Sequence, residues 1–248
     1  HALFTPNRDP KKGIPQSFIN VTEDARIEKL MKRKYLGLGR TFYNAYQTMF
    51  QDDFFELDGE DIDALSEWLK SYPKLTKGNL TLEFEKLWAE YIGTKYAVFC
   101  NSGSSANLLM IYAALHNGHI ENKKIAVPSV GWVTTLSPAI QFGLEPVMVG
   151  ADPNTFGIDL DQLEKLCEED CPDAVIFVQV LGVPHYKERM MALKEKYGFI
   201  LLEDSCAALG AEYSDGSMVG TLGDMASFSF YFGHQLSSIE GGMVNTNS

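Results

Sequence analysis

The sequence predicts an α/β fold, a mainly parallel sheet sandwiched by helices. Three observations predict it. Several short runs are apolar throughout rather than alternating, as strands covered on both faces require. Segments with apolar residues at helical spacing separate those runs. Apolar residues make up 45% of the 248, enough to bury such a sheet.

The elements follow in order. Ile62, Leu65, Trp68 and Leu69 share one face of a helix over 61–69, with Trp68 in a core. Leu82, Phe84, Leu87 and Trp88 form the apolar face of a second helix, which Gly93 ends. Strands are then expected at 96–100, 125–128, 146–149, 174–178 and 199–202, the last running into Glu203-Asp204. Helices are expected between them at 106–115, 134–141, 160–167 and 186–197. The reading divides the chain into an N-terminal extension with a helical segment, 1–75, and a ligand-binding domain, 76–248. Sheets of this kind bind ligands beyond the carboxyl ends of their strands.

A net charge of −12 argues against a nucleic-acid or anionic-membrane surface, and leaves room for a local phosphate pocket. No apolar run is long enough to span a bilayer, and His1-Ala-Leu-Phe-Thr-Pro6 lacks the apolar core of a signal peptide. Lys32-Arg-Lys34 reads as a solvated face. The four cysteines are Cys100, Cys167, Cys171 and Cys206. The Cys167/Cys171 spacing fits half a metal site or simply a helix turn, and no second pair follows. The expected setting is the reducing cytoplasm.

Four features could carry chemistry. Asn101-Ser-Gly-Ser-Ser-Ala106 joins a strand to a helix. Its glycine, hydroxyls and helix N-terminus suit a phosphate, although serine-rich helix caps are also common. Asp204 ends a buried strand, where a carboxylate needs a partner; a pyridine nitrogen, a cap or a salt bridge would serve. Trp132 follows a strand end and could stack on a planar ligand or lie in the core. Ser229 and His234 offer a hydroxyl and a group that titrates near neutrality. His116 and His185 are assigned no role.

The order of these features in one chain carries a resemblance. Supporting strings are Phe84-Glu-Lys-Leu-Trp-Ala-Glu-Tyr-Ile-Gly93, Glu203-Asp-Ser-Cys-Ala-Ala-Leu-Gly-Ala211 and Gly220-Thr-Leu-Gly-Asp224. With Ser229-Phe-Tyr-Phe-Gly-His234-Gln-Leu-Ser-Ser-Ile-Glu240-Gly-Gly242, the stretch 76–248 resembles the DegT/StrS sugar-nucleotide aminotransferases, which are fold-type-I pyridoxal-phosphate enzymes. The resemblance implies a seven-stranded sheet, a homodimer and a C-terminal small domain that this sequence does not include. It gives Gly103 and Ser104 to the cofactor phosphate, with Ser229 helping. It sets Trp132 on one ring face, Cys206 near the other and Asp204 at the pyridine nitrogen.

In most of that family the position of His234 is a lysine that forms a Schiff base, which an imidazole cannot form. Histidine there resembles the branch that removes the C3 hydroxyl of nucleotide-linked 4-keto-6-deoxyhexoses in deoxysugar biosynthesis. That branch implies pyridoxamine 5'-phosphate, interconverting with pyridoxal 5'-phosphate, and His234 as the acid/base. It implies either glutamate or a reductase as second partner, with a [2Fe-2S] cluster in the reductase-linked kind. The nucleotide is GDP in one kind and CDP in the other. Two rivals stand beside this reading, an ordinary sugar-nucleotide aminotransferase and a non-catalytic cofactor-binding or regulatory relative. The family often has Gln or Glu three residues after the aspartate, where this chain has Ala207.

Overall fold

The computed structural model describes residues 59–74, 77–238 and 240–248. The side chains of 59–62 and Leu65 lie outside that description, as does Lys32-Arg-Lys34. The chain forms two compact units, 1–73 and 74–248.

In the first unit, helix α1 spans Gly59–Lys70, one turn longer than its apolar spacing suggests. Trp68 is half-buried and Leu69 is 45% exposed, so the expected core position of Trp68 is only partly realised.

The second unit is built on one sheet. Helix α2 spans Asn79–Ile92 and stops at Gly93, whose φ of 88° is open to a residue without a Cβ. Then come β1 (Tyr96–Cys100), α3 (Gly103–His116), β2 (Lys124–Pro128), α4 (Val133–Gln141) and β3 (Glu145–Val149). They are followed by α5 (Leu160–Asp170), β4 (Ala174–Val178), α6 (Lys187–Tyr197) and β5 (Ile200–Asp204). Strands β6 (Met225–Ser229) and β7 (Gly242–Thr246) close the described chain. The seven strands lie in the order β1-β7-β6-β5-β4-β2-β3. Strands β2 to β6 run parallel, and β7 is antiparallel to both β6 and β1.

Strand alternation builds the sandwich. Ala174 and Ile176 of β4 pack with Ala106, Met110 and Ile111 of α3 and with Ala139 of α4. Val175 and Phe177 face the other way, onto Leu163 and Cys167 of α5 and Met190 and Leu193 of α6. Both faces of β4 are covered, and for this reason its sequence shows no alternation. Trp88 and Ile92 of α2 cover Ala226, Phe228 and Met243 at the β6/β7 end.

Strands β6 and β7 were not assigned from the sequence. Their buried polar residues conceal them, and tertiary bonds satisfy those residues. Asn245 of β7 accepts from the Trp88 indole at 3.0 Å and donates to Thr94 at 2.7 Å.

Glu203 is fully buried and faces the α5/α6 side. It accepts from Gln179 at 2.9 Å, Tyr213 at 2.7 Å, and the backbone amides of Gly220, Leu222 and Gly223 at 2.8, 3.0 and 3.2 Å. These bonds pin the loop that returns the chain to β6. Burial and the adjacent carboxylate push the Tyr213 hydroxyl far up, so it stays a donor. Glu203→Ala strands these donors in a dry core and is expected to cost about 3–5 kcal/mol, read as a fall in the urea midpoint.

Candidate active site

The candidate residues gather where β5 and β6 end and α3 and α4 begin. Asp204 is the last residue of β5 and only 3% exposed. Its Oδ2 accepts from Asn107 Nδ2 of α3 and from Thr135 Oγ1 of α4, each at 2.8 Å. Its Oδ1 accepts the Cys206 backbone N–H at 3.2 Å. Ser227 of β6 donates from its hydroxyl to Asn107 Oδ1 at 2.6 Å. Asn107, Thr135 and Ser227 were not singled out in the sequence. The available signal was an asparagine set within the apolar run after Ala106.

Helix α3 starts at Gly103, earlier than the apolar spacing suggests, because Ser102 caps it. Ser102 Oγ accepts the Ser105 N–H at 3.1 Å. Gly103 and Ser104 therefore occupy the first turn, whose N–H groups have no partner within the helix. Gly103 is buried and Ser104 exposed. A Cβ on Gly103 would lie 2.5 Å from the Ser229 Cβ and 2.9 Å from the Cys206 sulfur. The glycine thus brings the helix start against both residues. Gly242 plays the same part from β7, since a Cβ there would overlap the Ser102 carbonyl. The Gly241-Gly242 pair carried this signal in the sequence.

Trp132 is the residue before α4 and is 73% exposed, so it is not a core residue. Its carbonyl accepts the Thr135 N–H at 3.0 Å, which ties it to the helix turn that supports Asp204. Ser229 ends β6 half-buried, and its Oγ accepts the Tyr231 N–H at 3.3 Å.

His234 lies half-buried in the turn that follows β6, with its N–H donating to the Tyr231 carbonyl at 2.9 Å. Gln235 Nε2 donates to the Ala207 carbonyl at 3.1 Å, binding this turn to the one after Asp204. Ala207 thus acts through its backbone. Partial burial lowers the His234 pKa, and the Asp204 charge opposes that shift. Burial, then the Asp204 charge, push the Cys206 thiol well up, so it is a neutral donor.

The remaining polar candidates lie elsewhere. His116 stacks on Tyr112 at 5.7 Å, and His185 is buried with Nδ1 3.0 Å from Thr155 Oγ1. Burial pushes the Cys167 thiol up to about 12, and Cys171 is also raised, chiefly by burial. Among the described residues no group of three or more His, Cys, Asp or Glu could hold a metal ion.

A seven-stranded sheet with one antiparallel strand, and a polar cluster beyond the strand ends, define the large-domain fold of the fold-type-I pyridoxal-phosphate enzymes. The chain belongs to the DegT/DnrJ/EryC1/StrS aminotransferase family, whose profile matches residues 56–248. It is 36% identical to a GDP-4-keto-6-deoxy-D-mannose 3-dehydratase of Yersinia pseudotuberculosis, over 77% of this chain and 48% of that one. Identity to a GDP-perosamine synthase of Caulobacter vibrioides is 32%, over 77% and 50%. Among solved structures, the E. coli GDP-4-keto-6-deoxy-D-mannose-3-dehydratase with bound hydrated PLP superposes with a TM-score of 0.69 at 34% identity, covering 77% of this chain and 49% of that one. An aminotransferase of the same family from Brucella abortus gives 0.71 at 25% identity, covering 81% and 54%. The chain spans about half the length of the curated relatives it matches.

Gly103→Ala is expected to push α3 off Ser229 and Cys206 and to cost about 1–3 kcal/mol in urea unfolding. Ser104→Ala, on an exposed side chain, should change stability by less than about 0.5 kcal/mol.

Proposed function

We propose that this chain forms the cofactor-binding part of a pyridoxamine/pyridoxal phosphate-dependent 3-dehydratase acting on a nucleotide-linked 4-keto-6-deoxyhexose. The observation that carries the reading is His234 in the family's lysine segment, near enough to the Asp204 carboxylate to sense its charge.

The residues present fit the cofactor. Gly103 leaves no side chain at the start of α3, and the first-turn amides of Gly103 and Ser104 suit a phosphate dianion. The Ser229 hydroxyl lies against the same glycine and adds a donor. Asp204, supplied with three donors, suits a protonated pyridine nitrogen. Trp132 offers an exposed aromatic face, and Cys206 a compact neutral thiol beside Gly103.

When bound, the amine form of the cofactor supplies a nitrogen that condenses with a sugar ketone and a ring that spreads negative charge. The chain's own contribution is positioning and proton movement. With its pKa lowered by burial, the His234 imidazole is neutral at neutral pH and available as a base. One of its ring nitrogens would accept the carbon-bound proton whose released electron pair expels the C3 hydroxyl, and would pass that proton to the departing oxygen, so that water leaves. Imidazole cannot replace lysine as the covalent anchor, which separates this chemistry from amino-group transfer.

The partners follow from the same reading. A homodimer is proposed because Trp132, Leu181 and Phe232 leave large apolar surface exposed near the strand ends. Glutamate or a reductase would be the second reactant. The cytoplasm is the proposed setting, in keeping with four free cysteines; no described helix is long and apolar enough to cross a membrane.

The test incubates the protein with pyridoxamine phosphate and a GDP- or CDP-4-keto-6-deoxyhexose, with mass spectrometry of the product. A product deoxygenated at C3 is expected. A 4-amino sugar would instead make the chain an aminotransferase, and binding without turnover would make it non-catalytic. His234→Asn should lower turnover by about 10²–10⁴-fold while pyridoxamine phosphate still binds. The acid limb of the pH–rate profile should fall below the ordinary histidine value of 6.5, because the neutral imidazole persists to lower pH. The stability that neutral His234 contributes follows the same sign, present above 6.5 and lost as pH falls toward its folded value.

A further inference from the structure

The donors around Asp204 form a ring with a fixed direction. Asn107 sits between two oxygens, 2.8 Å from Asp204 Oδ2 through its Nδ2 and 2.6 Å from Ser227 Oγ through its Oδ1. A carboxylate only accepts, so the amide nitrogen must face Asp204 and the amide oxygen must face Ser227. Ser227 must then spend its one hydroxyl proton on Asn107. The Ser227 oxygen keeps acceptor capacity, and the Cys206 sulfur lies 3.8 Å away. The neutral Cys206 thiol faces both the Ser227 oxygen and the Asp204 carboxylate. The Cys206 backbone N–H closes the ring on Asp204 Oδ1.

Asn107 is 1% exposed and Ser227 is fully buried, so water does not substitute for either. A carboxylate offers about four acceptor positions. Asn107 and Thr135 occupy both positions on Oδ2, and Cys206 occupies one on Oδ1. One position, on Oδ1, is left without an amide, hydroxyl or backbone donor.

We propose that Asn107, oriented by Ser227, is a positioning residue that holds Asp204 as an acceptor-only carboxylate with one Oδ1 position left for a protonated ring nitrogen. The inference rests on the cofactor reading above and extends it to Asn107 of α3 and Ser227 of β6. If Ser227 loses its hydroxyl, the Asn107 amide is no longer oriented. Its carbonyl can then turn to Asp204, where it repels rather than donates.

The test uses pyridoxamine phosphate labelled with ¹⁵N in the ring, titrated by NMR on the protein, together with its dissociation constant. The unsubstituted protein is expected to keep the ring nitrogen protonated to higher pH than free cofactor. Asn107→Leu and Ser227→Ala should release that proton at lower pH and bind about tenfold more weakly. Thr135→Ser, which keeps the hydroxyl, should retain the protonated shift, and Thr135→Val should lose part of it. Thermal melts identify variants that stay folded; if Asn107→Leu does not fold, Ser227→Ala decides. Folded variants whose nitrogen shift and affinity match the unsubstituted protein overturn the positioning role alone. An unsubstituted protein that does not bind the labelled cofactor, or binds it with the nitrogen unprotonated, overturns the cofactor reading and this inference with it.

Discussion

Two adjacent carboxylates end β5 inside the protein, and much of the rest follows from satisfying them. Strand alternation turns Glu203 to the α5/α6 face and Asp204 to the α3/α4 face. Neither has a cation within hydrogen-bond distance among the described residues. Each is satisfied by neutral donors brought from distant parts of the chain. Burying an unpaired carboxylate costs far more than a typical side-chain contact gains, so these donors constrain the fold strongly.

The two satisfied shells differ in completeness. Glu203 accepts five bonds, fixes the loop before β6 and has no capacity facing the ligand end. Asp204 accepts three such bonds at the mouth of the sheet. The first is a structural anchor. The second is the kind of incompletely used, rigidly held acceptor that a ligand can complete. Around it, close packing at Gly103 and Gly242 brings the start of α3 to the ends of β6 and β7, so the first-turn amides and the carboxylate converge. His234 enters on the turn after β6, tied back to the 205–208 segment through Gln235.

Much of this was legible in the sequence. Continuous apolar runs identified five strands; burial on both faces removes alternation in β2, β4 and β5, whereas β1 and β3 keep apolar residues such as Val98 and Met148 exposed. Gly93 marked a helix end through its left-handed backbone, and the serine-glycine string marked the start of α3. Asp204, Ser229 and His234 were singled out by residue type and order, and the structure sets them at the ends of β5 and β6 and in the turn after β6. Strands β6 and β7 were not, because Ser227 and Asn245 look like surface residues until α3 and α2 supply their partners. Trp132 was open between core and stacking platform, and its exposure excludes the core.

The sequence by itself determined the class of fold and the family, since these depend on local composition and on order along one chain. Tertiary structure alone decided which polar groups meet. Asn107, Thr135, Ser227 and Cys206 are separated by up to 120 residues along one face of the sheet, yet converge on Asp204 or on one another. No local signal encodes that convergence. It arises because a buried carboxylate must find donors, and the packing of α3 and α4 on β5 and β6 is the arrangement that provides them.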